Sequence, residues 1–162
     1  MSDSCVTNDP SPAYEVDFYA WTQQQAKLLQ EEKWSSLDIP NLVEEIESWG
    51  RQERRELENR LGVLLGHLLK WEFQPENRSR SWFATIREQR RRSLRLLEKS
   101  PSLHPYLPEA LEIAYQDALD LAVREASMSY KAFPQECPYS LEKAVDFEFF
   151  PGQQTESGEE WE

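Results

Sequence analysis

Glu53, Arg60 and His67 stand at seven-residue spacing in a stretch whose apolar residues, among them Leu57, Leu64 and Trp71, recur every three or four positions. A helix turns by about 100° per residue, so seven steps return nearly to the same face, and acid, guanidinium and imidazole share the side marked for burial. Glu56 precedes Arg60 by one turn and can pair with it, while Glu45 flanks the same edge upstream. Charge taken out of water is costly unless it is paired and hydrogen-bonded. The set therefore reads either as an internal polar network of Glu45, Glu53, Glu56, Arg60 and His67 or as the lining of a cleft. In a cleft, His67 with these carboxylates offers ligands for a divalent metal, as facing helices of bundles do. The Glu-x-x-His pairs of di-iron bundles are absent, however, and the sequence implies neither a metal nor a cofactor.

A second constellation is arginine-rich. Residues 78–99 hold Arg78, Arg80, Arg87, Arg90, Arg91, Arg92, Arg95 and Lys99 against only Glu88 and Glu98, whereas the whole chain of 162 residues has a net charge of −12. Arginine forks match phosphate oxygens, and Trp82 and Phe83 lie close enough in sequence to stack on bases, so Arg80, Arg87, Arg90, Arg91 and Arg95 are candidate binding residues for nucleic-acid phosphate. The negative total opposes long-range attraction to a polyanion. A seam that neutralises the chain's own acidic helices, or a contact with an acidic protein, uses the same residues without nucleic acid.

Helices must position these groups. Neither sustained apolar–polar alternation nor an Asn-Gly hairpin signal occurs, and the spacing predicts an all-α, single-domain antiparallel bundle of about five helices. The first spans about 15–34. Asp38 is placed to cap a long central second helix reaching about Glu72, whose face runs through Leu42, Ile46, Trp49, Leu57, Leu61, Leu64, Leu68 and Trp71. Gly62 and Gly66, one turn apart, suit the close approach of another helix. A third helix at about 82–99 follows Ser79, and a fourth at about 109–130 carries a stripe of small residues. Ser140 starts a short fifth helix before the aromatic strap Phe147, Phe149 and Phe150. Trp21, Trp34, Trp49, Trp71 and Trp82 are expected to be largely buried. The domain is placed at 14–151, between a tail at 1–13 and an acidic tail at 152–162 in which Trp161 should be mobile.

Hydrophobic content of 39% with 12% aromatic residues excludes a disordered acidic chain and implies a core. No apolar run is long enough to span a bilayer, and the polar, acidic start lacks the basic and apolar segments of a signal peptide, so a cytoplasmic protein without membrane contact is expected. The two cysteines, Cys5 and Cys137, give no disulfide framework and no zinc spacing. Phosphate loops, nucleophile elbows and Cys–His pairs are missing as well.

The ordered motifs DFYAW at 17–21, LVEEIESWGRQERRELENRL at 42–61, HLLKW at 67–71, SRSW at 79–82, TIREQRR at 85–91, YLPEAL at 106–111 and FPQECPYSLE at 133–142 resemble a bacterial family, abundant in cyanobacteria, catalogued as domain of unknown function number twenty-nine. The resemblance covers about residues 14–151. It implies an all-helical cytosolic bacterial protein and carries no activity, substrate or cofactor. Separately, Arg60-x6-His67 is similar to the Arg and His spacing of helical HEPN ribonucleases, in which Arg60 would steady phosphate charge and His67 would move a proton. Leu61 occupies the place of those enzymes' polar residue, and two helical turns, roughly 10 Å, separate the side chains unless a groove or dimer seam brings them together. The function expected from the residues is a non-catalytic protein-binding or adaptor module. Its partner would be a basic protein on the acidic surface of residues 109–162, or a second copy. The alternatives are the metal-independent ribonuclease and the phosphate binder.

Overall fold

The computed structural model describes residues 14–152, and the two predicted tails, Trp161 included, lie outside the described residues apart from Gly152. The helices are α1 (Phe18–Gln30), α2 (Ile39–Phe73), α3 (Arg80–Lys99), α4 (Leu107–Ala126) and α5 (Leu141–Val145). Among the described residues there is no strand, and the fold is all-α, with long helices α2 and α4 packed together. The chain divides into two compact units, residues up to Gly50 and residues from Arg51 onward.

In the second unit the predicted close approach is realised between α2 and α4. A Cβ on Gly66 would lie 2.8 Å from Leu121 Cδ2 and 3.2 Å from the Ala118 carbonyl, and one on Gly62 would lie 3.2 Å from Asp117 Cβ. The facing side of α4 carries Ala110, Ala114, Ala118 and Ala122, all fully buried. Small residues on both helices let the backbones close up, so dispersion contacts replace the side-chain layer that larger residues would need. Leu57, Leu61, Leu64, Leu65, Leu68, Leu69 and Trp71 of α2 are also fully buried. Helix α3 starts at Ser79, whose side chain accepts from the Trp82 amide, and adds Ile86, Leu96 and Leu97 to this core. It runs antiparallel to α2, because Lys99 bonds Glu53 at one end while the Lys70 ammonium sits over the Trp82 ring at the other. Ser140 caps α5 by accepting from the Lys143 amide, and the strap that follows brings Phe150 to 5.2 Å from the Trp71 ring and 5.0 Å from Phe83.

The first unit is a helical hairpin of α1 and the beginning of α2. Asp17 caps α1 through the Ala20 amide. Asp38 is the junction: it accepts from Trp21 Nε1 at 3.0 Å and from Asn41 Nδ2 at 2.7 Å, and its own amide donates to Gln25 Oε1 at 2.8 Å. The Asn41 bond, with that of Trp21 behind it, holds its carboxyl below the usual carboxylate range against the opposing effect of desolvation. The hairpin has little core of its own, since Trp21 and Gln25 are its buried residues among those described.

Several expectations need correction. Trp34 and Trp49 are exposed, at 61% and 64%, and Trp82 is half-buried, so only Trp21 and Trp71 of the five are enclosed. Ile46, assigned to the buried stripe of α2, is 61% exposed, and Leu42 is half-buried. Helix α1 stops at Gln30, short of 34, because Glu32 takes a left-handed φ of 54° before a 3₁₀ turn at Trp34–Ser36. Helix α4 likewise ends at Ala126, where Ser127 is left-handed, well before Pro134.

Candidate functional site

Groove formation between α2 and α3 follows from their antiparallel pairing. Glu56 and Arg60, one turn apart on α2, face Arg92, Arg95, Leu96 and Lys99 on α3, and these six line a cavity of about 340 Å3. On α3 the spacing of 92, 95 and 99 is that of one helical face. Buried Leu96 supplies an apolar floor. Carboxylates at the rim hold the cations: Glu56 accepts from Arg60, Glu88 from Arg92 at 2.6 Å, and Glu53 from Lys99 at 3.3 Å and from the Ser100 hydroxyl at 3.2 Å. Arg95, exposed, has no carboxylate partner among the described residues. Each guanidinium has five N–H donors, so one carboxylate leaves most of them available.

The five members of the predicted internal network are not gathered into one. Glu45 belongs to the first unit and accepts from the Tyr14 hydroxyl. Glu56 lines the groove, and Glu53, outside its lining, accepts from Lys99 and the Ser100 hydroxyl. His67 is half-buried, its Nδ1 bonds the Val63 carbonyl at 2.9 Å, and it is not among the groove-lining residues that include Arg60. Burial pushes its imidazole below the ordinary value, with the Val63 bond working in the opposite direction. The arginines proposed as one binding set are dispersed too. Arg90 is fully buried, donating from Nε to the Ala144 carbonyl at 2.8 Å and from Nη2 to Phe149 at 2.5 Å, with its guanidinium 5.0 Å from the Phe150 ring. It fastens the strap to α3 and is inaccessible to a ligand. Desolvation draws it down to about 10. Arg87 lies over Phe83 and Phe147, while Arg80 and Arg91 are exposed and outside the groove.

Two features were not anticipated. Lys70 is almost wholly buried, 2.5 Å from Glu125 and 4.5 Å from the centre of the Trp82 ring; its ammonium holds the Glu125 carboxyl below the usual range. Its position in HLLKW gave no sign of a partner 55 residues away. The second is apolar. Among the described residues eleven large apolar side chains are exposed, and nine belong to the first unit: Val16, Phe18, Tyr19, Leu29, Trp34, Ile39, Val43, Ile46 and Trp49. On α2, residues 39, 43, 46 and 49 step by four or three and form one continuous stripe. Gly50 beside it has nothing within 4 Å of a notional Cβ. Among the described residues no three His, Cys, Asp or Glu side chains come close enough to hold a metal ion, and no helix is long and apolar enough to cross a membrane.

The profile of the family described as Domain of unknown function DUF29 matches residues 13–150, and the chain belongs to that family. No curated protein and no solved structure matches it.

Proposed function

We propose that this family member is a non-catalytic binding module that docks a basic amphipathic helix of another protein on the exposed apolar face of its first unit. The concentration of nine large exposed apolar side chains in that unit is the observation that carries the reading. Soluble surfaces scatter such residues singly, and a contiguous patch marks an interaction site. The occupant's charge follows from the rim. Residues 14–50 have eight acidic side chains and two lysines, so a ligand helix with one apolar and one basic side satisfies both parts of the surface. A second copy of the same hairpin would bring like charges together. The acidic surface of residues 109–162, expected from the sequence to take this partner, exposes among its described residues only Ile113 and Tyr130 as large apolar side chains, which leaves little anchor for the hot-spot contacts that dominate protein interfaces.

The exposed Trp34 and Trp49 supply the readout. A synthetic amphipathic helix of leucine and lysine should shift their emission to the blue in a saturable manner, whereas a leucine–glutamate helix of the same pattern should not. Ile46→Asp should abolish the shift with the circular dichroism spectrum unchanged. Equal response to both peptides, or none, refutes the reading, as does sedimentation equilibrium showing a stable dimer that Ile46→Asp splits.

A further inference from the structure

The groove between α2 and α3 lies in the second unit and plays no part in the docking just described. Its lining combines four cationic side chains, Arg60, Arg92, Arg95 and Lys99, with one carboxylate, Glu56. We infer that this groove is a binding site for a small, multiply charged phosphate compound, with Arg95 as its principal phosphate ligand.

Three features lead to this ligand class. First, the cations are positioned in advance. Glu56, Glu88 and Glu53 each take one bond from Arg60, Arg92 and Lys99, which fixes the side chains without exhausting their donors. Side chains already held in place lose less entropy when a ligand arrives, and arginine forks suit the paired oxygens of a phosphate. Second, the acids are single carboxylates, each engaged by one cation, while a phosphate or diphosphate offers more charge and more acceptor oxygens to several cations together. Arg95 has no carboxylate to give up, so an anion entering the groove gains its contact without breaking another. Third, size and lining select a small ligand. About 340 Å3 lies at the lower end of the range for ligand pockets, roughly 300–1,000 Å3. Leu96 is the apolar lining residue and no aromatic ring is present in the wall, so the groove recognises phosphate oxygens and has no surface on which a base could stack. A nucleic acid would also have to approach a chain of net charge −12, which a compact anion experiences far less at physiological salt.

Calorimetric titration of the full chain with sodium diphosphate at about 0.15 M salt, where charges beyond roughly 8 Å are screened, tests the site. Saturable one-to-one binding is expected. Arg95→Ala, at an exposed position, should weaken it roughly tenfold, as loss of a charge-assisted hydrogen bond does. Arg91→Ala removes an equal charge from the same helix outside the groove and should leave the affinity within about twofold, because a screened charge at a distance contributes little. A parallel titration with ADP tests the wall: equal affinity is expected of a groove that recognises phosphate groups and offers a base nothing to stack on, and markedly tighter ADP binding overturns that reading. Absence of saturable binding overturns the inference. It is equally overturned if Arg91→Ala weakens binding as much as Arg95→Ala, or if a twelve-residue thymidine oligonucleotide binds far more tightly than diphosphate and is insensitive to Arg95→Ala.

Discussion

Helix α2 carries apolar residues at helical spacing along its whole length, yet its two parts meet opposite fates. Residues 39, 43, 46 and 49 are exposed, while Leu57, Leu61, Leu64, Leu68 and Trp71 are sealed from solvent. The local pattern is alike, and so is the propensity. The difference lies in what stands opposite: the later part meets the alanine stripe of α4, and Gly62 and Gly66 let it come close. Periodicity thus identifies a face that seeks cover, and only the partner element determines whether the cover is internal or supplied by another molecule.

The largest effect is expected where the strap is fastened to α3. Arg90→Ala removes a buried guanidinium and leaves the carbonyls of Ala144 and Phe149 without their donor, which should cost about 3–5 kcal/mol in urea unfolding. Lysine at the same position cannot reproduce the fork and should recover only part of that loss. Next, Leu64→Ala should lower stability by about 2–5 kcal/mol, whereas Ile46→Ala should stay within about 0.5 kcal/mol. Comparable losses at the two sites would show that residue 46 is covered in solution.

The two kinds of glycine in α2 sharpen the same contrast on a smaller scale. Gly66→Ala drives a methyl against Leu121 and the Ala118 carbonyl and should destabilise by about 1–3 kcal/mol. Gly50→Ala meets open space and should stabilise by about 0.5–1 kcal/mol through helix propensity alone. The smallest effect concerns acid. Because the folded state holds the His67 imidazole below its ordinary value of 6.5, it binds fewer protons there than the unfolded chain. Stability contributed by neutral His67 is therefore complete above pH 6.5 and declines as pH falls through the lowered value. His67→Gln should flatten the fall of the urea midpoint as pH drops below 6.5, a window above that in which Glu125 titrates.

Helix class, the capping serines 79 and 140, Asp38 at the start of α2 and the one-turn spacing of the glycine pair were all legible along the chain, because each signal is set within one or two turns, whereas the α4 residues that face the glycines lie some fifty positions away. The site was legible only in part. Arg60, Glu56 and Arg95 were singled out, but in separate constellations, and Arg92 and Lys99 were not distinguished from the other arginine-cluster residues. Joining them requires the antiparallel register that sets residue 53 beside residue 99, a distance of 46 positions that no periodicity reports.

Local features are thus written along the chain: that it is helical, where its capping residues stand, which side of each helix is apolar, and how charge is distributed. The tertiary structure alone decided which charges meet. Arg90 and Arg95 are one helical turn and a fraction apart on α3 with the same side chain, yet one closes on main-chain carbonyls of the strap and the other opens into a groove with Arg60. The physical reason is that burial and pairing are properties of the space between elements. A guanidinium enclosed by carbonyl oxygens becomes part of the core, and one left facing water beside other cations remains available to an anion.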